Sequence, residues 1–81
     1  MSNALRKIIG RNRNGEIVSM PSICTAHPDA LLASLMLARD HNWPVLVEAT
    51  SNQVNQHGGY TGMKPEDFRA LVSGLCRKAG I

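Results

Sequence analysis

Apolar residues along this chain fall into two helix-spaced stripes and two short runs of β-formers. Leu31, Leu32, Leu35 and Met36, with Ala38 beside them, recur at the spacing of one helix face. His27-Pro28-Asp29 opens that segment: proline suits a first helical position, and an acid in the first turn complements the helix dipole. Asn42-Trp43-Pro44 stops it, which predicts a helix from Pro28 to about His41. Phe68, Leu71, Val72, Leu75 and Ala79 form the second stripe, opened by Pro65-Glu66-Asp67 and closed by Gly80 as C-terminal cap. A shorter helix is predicted over residues 4–10, ending at Gly10, with Asn12-Arg13-Asn14-Gly15 as a turn. The β-formers of Ile17 to Cys24 predict a strand bulged or interrupted at Pro21. Val45-Leu46-Val47 is a continuous apolar run, the pattern of a strand buried on both faces.

The order of the main body is therefore β-α-β-α, which implies parallel pairing and a right-handed crossover. That is an α/β chain, either doubly wound or a barrel. Two parallel strands do not close a sheet, and no third strand is present to cover their edges. The expectation is the N-terminal part of a larger α/β fold, with residues 1–15 as a basic helix or arm and 16–81 as the βαβα portion.

Composition and charge sharpen this. At 81 residues and 43% hydrophobic content the chain is neither disordered nor large enough to be well stabilised alone. Its net charge of +3 comes from Arg6, Lys7, Arg11 and Arg13; the remaining 66 residues carry five bases against six acids. A nucleic-acid module needs bases spread over its folded surface, so the cluster reads as a solvated arm and no nucleic-acid partner is expected. No apolar stretch reaches the length of a membrane span, so no membrane partner is expected. Cys24 and Cys76, too few for a disulfide scaffold, together with the lack of an export pattern, point to the cytoplasm.

Ligands of parallel α/β folds bind at the carboxyl ends of strands. Here those ends are Cys24-Thr25-Ala26-His27 and Glu48-Ala49-Thr50-Ser51-Asn52-Gln53, the second running on through Gly58-Gly59-Tyr60-Thr61-Gly62. A loop this long, rich in amides and hydroxyls without fixed charge, suits a hydroxyl-rich sugar; its glycines allow backbone N–H groups to approach a phosphate. A hydrated surface loop is the plainer reading. Glu48 is either a carboxylate that holds the loop through its N–H groups or one that contacts ligand. His27 is either a helix cap or a ligand contact, His41 an exposed helix-end residue, and His57, amid loop glycines, the more plausible site histidine. Cys24-x-x-His27 is only half of a zinc site, and no metal site is expected in this segment. No GxxxxGK[ST], GxGxxG or GxSxG motif occurs.

Thr25-Ala26-His27-Pro28, Glu48-Ala49-Thr50-Ser51-Asn52-Gln53-Val54 after Val45-Leu46-Val47, Gly58-Gly59-Tyr60-Thr61-Gly62-Met63, and Pro65-Glu66-Asp67-Phe68-Arg69 together resemble the GatZ/KbaZ family. These are the non-catalytic subunits of D-tagatose-1,6-bisphosphate aldolase. The resemblance covers roughly residues 16–79 and only the beginning of the longer family members. It implies the first two βα units of a (β/α)8 TIM-type barrel, in galactitol or N-acetylgalactosamine catabolism. It also implies a catalytic class II aldolase subunit as partner, with the zinc on that partner and no cofactor in this segment. Glu48, Ser51, Asn52, Gln53, Gly58, Gly59 and Tyr60 would then line the top of the barrel, with His27 beside them, around a sugar phosphate; catalytic residues are not assigned. Lys64 departs from a Thr-like N-cap, which predicts a helix start weaker by about 1 kcal/mol. Two other readings stay open: a lyase or epimerase acting itself on a ketose phosphate, and a small interaction domain that forms a homo-oligomer to cover its sheet edges.

Overall fold

The computed structural model describes residues 3–81. In chain order it contains helix α1 (Asn3–Arg13), strand β1 (Ser22–Cys24), helix α2 (Pro28–His41), strand β2 (Leu46–Glu48) and helix α3 (Pro65–Ala79). The strands pair in parallel, with Ser22 opposite Leu46, Ile23 opposite Val47 and Cys24 opposite Glu48. This is a mixed α/β arrangement around a two-stranded parallel sheet, as the order of the sequence pattern predicts.

Both long helices have the predicted bounds for local reasons. Asn42 adopts a left-handed conformation (φ 54°) and ends α2, its N–H bonded back to Ala38 and Arg39. Gly80 (φ 83°) ends α3, and the Ile81 N–H reaches the Cys76 carbonyl at 2.9 Å, closing a Schellman turn. Lys64 supplies no side-chain cap to α3, as its chemistry dictates. The Asp67 carboxylate instead accepts the Lys64 N–H at 2.9 Å, half of a capping box, so one orphan donor at that helix start is satisfied from within. The first helix overruns its prediction by three residues: Gly10 sits inside α1. A lone interior glycine costs about 1 kcal/mol but does not end a helix, and Arg11 and Arg13 in the last turn favour continuation. The helix buries none of its residues; residues 1 and 2 of the predicted arm lie outside the described residues.

The strands differ more from expectation. Residues 17–21 are not paired, Ile17 is fully exposed, and β1 starts only after Pro21. Proline has no N–H to give, but its carbonyl accepts the Leu46 N–H at 2.9 Å, so Pro21 lies at the strand start where the ladder asks only for an acceptor. β2 is set one residue later than the apolar run suggested. Nor are the strands buried on both faces. Only Ile23 and Val47, which share one face, are half-buried; Ser22, Cys24, Leu46 and Glu48 on the other face are exposed. Two helices cover one face, and nothing among the described residues covers the other.

The core lies between the helices and the covered face. Leu31, Leu35 and Ala38 of α2 and Ala79 of α3 are its buried apolar residues; Met36, expected in the stripe, is 40% exposed. The Arg39 guanidinium ties the two helices together, donating to the Ala79 carbonyl at 2.6 Å at the C-terminal end of α3. Beside the β2 edge, Leu35, Ala38, Trp43, Val47, Val72 and Cys76 contribute to an open apolar trough of about 570 Å³.

Leu31, with no exposed surface, is the best-buried side chain. Leu31→Ala is expected to lower the stability of the intact protein by about 2–4 kcal/mol. Leu37→Ala, at a position 53% exposed, is expected to cost about 0.5 kcal/mol or less. Chemical denaturation of the two variants side by side checks the pair.

Candidate functional site

Both strands point their carboxyl ends at the same end of the sheet, where residues 25–28 leave β1 and residues 49–63 leave β2. The first connection is tight. Thr25 Oγ1 accepts the His27 N–H at 3.1 Å, and His27 takes the extended backbone that a residue before proline prefers. Its Nδ1 then accepts the Asp29 N–H at 3.2 Å, capping α2. His27 is thus a helix cap in fact, and in the neutral ring this bond places the proton on Nε2.

The second connection folds onto itself. Thr50 and Gln53 bond reciprocally: the Gln53 Oε1 accepts the Thr50 N–H at 2.8 Å, and the Thr50 Oγ1 accepts the Gln53 N–H at 3.2 Å. Asn55 Oδ1 accepts two N–H groups, from His57 at 2.8 Å and Gly59 at 3.1 Å, while its Nδ2 donates to the Ser51 carbonyl at 2.7 Å. The Tyr60 N–H reaches the Asn52 carbonyl at 2.9 Å, and the Thr61 hydroxyl donates to the Gln53 carbonyl. An isolated parallel bridge, Val54 to Met63, closes the base. The segments 48–54 and 58–63 therefore fold as one unit. Gly59 shows why glycine is needed there: a Cβ would lie 2.6 Å from the Gln53 carbonyl oxygen, and φ is +60°.

The N–H groups of Gly58, Gly59 and Gly62 are bonded to Asn55, the Asn55 side chain and Gly59. They serve the loop's own architecture. Glu48 does not reach the loop N–H groups either; its Oε1 accepts the Ser22 hydroxyl at 2.9 Å across the uncovered sheet face. His27, Gln53 and Tyr60 come together, with Thr25, Ala26, Pro28 and Thr61, as the lining of a groove of about 350 Å³ between the two strand ends. Glu48, Ser51, Asn52, Gly58 and Gly59 lie outside that lining, and so does the exposed His57. The Cys24 thiol, outside that lining, donates to Gln53 Oε1 at 3.9 Å. Among the described residues no group of three or more His, Cys, Asp or Glu side chains is placed to hold a metal ion. At the opposite end of the sheet His41 stacks on Trp43, ring centroids 4.4 Å apart, away from the groove.

Two residues that organise the site, Asn55 and Thr61, escaped the sequence reading. The signal for Asn55 was its place two residues before a turn amide, the spacing at which an asparagine side chain closes an Asx-turn. No comparable signal marked Thr61, whose partner carbonyl is eight residues away.

Gly59→Ala is expected to destabilise the loop by about 2–3 kcal/mol or more, through the close carbonyl and the positive φ together. Gly62→Ala, with φ +77° but open space around it, is expected to cost about 1–2 kcal/mol. Denaturation midpoints of the two variants compare them, and equal losses would contradict the close-approach account.

Comparison with known proteins bears directly on this loop unit. A family model described as D-tagatose-1,6-bisphosphate aldolase subunit GatZ/KbaZ-like matches residues 5–81. The D-tagatose-1,6-bisphosphate aldolase subunits GatZ of Salmonella paratyphi B and Salmonella typhimurium are each 47% identical over 77 residues, covering 95% of this chain. The chain spans 18% of the length of these relatives. A crystal structure of a probable tagatose 6 phosphate kinase from Sinorhizobium meliloti superposes with a TM-score of 0.70 at 51% identity, over 75% of this chain and 16% of the other. With nearly its whole length matched, including both strand-end loops, the chain belongs to the GatZ/KbaZ-like family of D-tagatose-1,6-bisphosphate aldolase subunits.

Proposed function

We propose that this chain forms the first two βα units of a (β/α)8 barrel, in a non-catalytic subunit that supports a class II D-tagatose-1,6-bisphosphate aldolase. The observation that carries the reading is family membership over residues 5–81, with relatives that are named as aldolase subunits. The local architecture agrees with it. Barrels place helices outside the strands and ligands at the strands' carboxyl ends. Here one sheet face is covered by helices, and the groove and ordered loop occupy that end. The uncovered face, with Ser22, Cys24, Leu46 and Glu48, would be the barrel interior, and the apolar trough beside β2 would receive the next strand. In this arrangement residues 1–15 are an outlying basic arm and 16–81 belong to the barrel.

The chemistry assigned to this segment is binding and shaping, not bond cleavage. Zinc and the aldol cleavage belong to the partner catalytic subunit, and the groove of His27, Gln53 and Tyr60 faces the sugar phosphate. Ser51, Asn52, Gly58 and Gly59 then hold the walls through the loop, and Glu48, held by Ser22, faces the barrel interior. The related structure is that of a probable kinase, but these 81 residues contain no phosphate-loop motif, and phosphoryl transfer from ATP is not assigned to them. A metabolic complex of this kind fits the cytoplasm, and no helix among the described residues is long and apolar enough to cross a membrane.

Co-expression of the intact protein with a class II aldolase checks the proposal. The expected outcome is a longer half-life of aldolase activity and a higher yield of active partner, with no aldol cleavage by the purified protein alone. An unchanged half-life, or turnover of ketose phosphates by the isolated protein, would sink it.

A further inference from the structure

We infer that the groove between the two strand ends is an anion subsite that takes the phosphoryl group of a sugar phosphate through side-chain donors. This deepens the reading above and rests on it. Hydrogen-bonding capacity at the lining is lopsided. The acceptor nitrogen of His27 is taken by the Asp29 N–H at 3.2 Å, leaving the Nε2–H. The acceptor oxygen of Gln53 is taken by the Thr50 N–H at 2.8 Å, leaving the amide Nε2. Thr25 Oγ1 accepts the His27 N–H at 3.1 Å, leaving its hydroxyl hydrogen. Thr61 is used in both senses, donating to the Gln53 carbonyl and accepting the Met63 N–H at 3.1 Å. Tyr60, 76% exposed at the rim, adds a phenol hydroxyl. Left over are the His27 Nε2–H and the Gln53 amide, which only donate, and the Thr25 and Tyr60 hydroxyls, which can donate, drawn from both strand-end loops.

No carboxylate lines the groove. Asp29 stands two residues from His27, and Glu48 is turned to Ser22 on the sheet face below. A phosphoryl group offers oxygens that only accept, and it matches such a set. A neutral polyol does not match as well, because its hydroxyls also need acceptors and the His27 Nδ1 and Gln53 Oε1 acceptors are already engaged. The loop glycines do not contribute, since their N–H groups are bonded internally. Free phosphate and the phosphorylated end of a ketose present the same oxygens, and the unphosphorylated sugar separates phosphoryl recognition from hydroxyl recognition.

The test uses the intact protein labelled with ¹⁵N-histidine, titrated with inorganic phosphate, D-tagatose 1,6-bisphosphate and unphosphorylated D-tagatose. The His27 Nε2 resonance, assigned by its loss in His27→Asn, is the readout. Both phosphorus-bearing probes are expected to shift it saturably, and D-tagatose is not. Gln53→Glu keeps an oxygen for the Thr50 N–H but replaces the donating amide by an acceptor; it is expected to weaken phosphate binding about tenfold or more with an unchanged unfolding midpoint. An equal response to D-tagatose, no saturable shift, or wild-type affinity in Gln53→Glu would overturn the assignment. Should Gln53→Glu disturb the loop, His27→Asn replaces it, because its amide oxygen can still cap α2. Phosphate is then followed at the Gln53 side-chain amide: about tenfold weakening supports the subsite, and unchanged affinity overturns it. Loss of the His27 response alongside full support of the aldolase removes the subsite and leaves the subunit reading intact. A normal response without aldolase support does the reverse.

Discussion

At Gly59 the backbone comes so close to the carbonyls of Asn52 and Gln53 that there is no room for a side chain. Much of the site follows from that contact. It lets the segments on either side of the loop tip lie against each other, so that Tyr60 can donate to Asn52 and Thr61 to Gln53. Asn55 then fills the bend from inside with three side-chain hydrogen bonds. A long loop after a strand ordinarily costs conformational entropy that few contacts repay. Here the polar residues that make it look like a ligand-binding surface are largely spent on ordering it, and what faces outward is the remainder.

That remainder has a chemical sign. Two polar side chains of the groove give up their acceptors to the protein: Nδ1 of His27 to a helix N–H, Oε1 of Gln53 to a turn N–H. Backbone N–H groups near a helix start or a tight turn need acceptors, so side chains recruited to satisfy them turn their donors outward. Folding thus biases the strand-end groove toward anions without placing a lysine or arginine in it. Glu48 is kept apart from this surface by Ser22, which engages one of its oxygens on the uncovered sheet face.

Much of the architecture was legible in the residues. Proline followed by acids marked both long helix starts, and Asn42 and Gly80 marked their ends, because these are local backbone requirements. The parallel pairing followed from the strand–helix–strand order. Strand extent was not legible, since Pro21 serves as an acceptor just outside β1 and not as an interior defect. Burial on both faces was inferred from an apolar run, but the faces of a strand are decided by what packs on them, and two helices cover only one. In the site, the residue types were visible and their division of labour was not. Which of Gln53's two polar atoms remains free depends on Thr50, and the use of the glycine amides depends on Asn55; neither can be read without the folded loop.

Amide hydrogen exchange on the intact protein, without ligand, tests most directly the claim that the strand-end loop is a prebuilt scaffold. The N–H groups of Gly58, Gly59, Tyr60 and Met63, all bonded inside the loop, should exchange slowly, with protection of the same order as the interior of α2. Exchange at the rate of an open chain at these amides, with α2 protected, would contradict it.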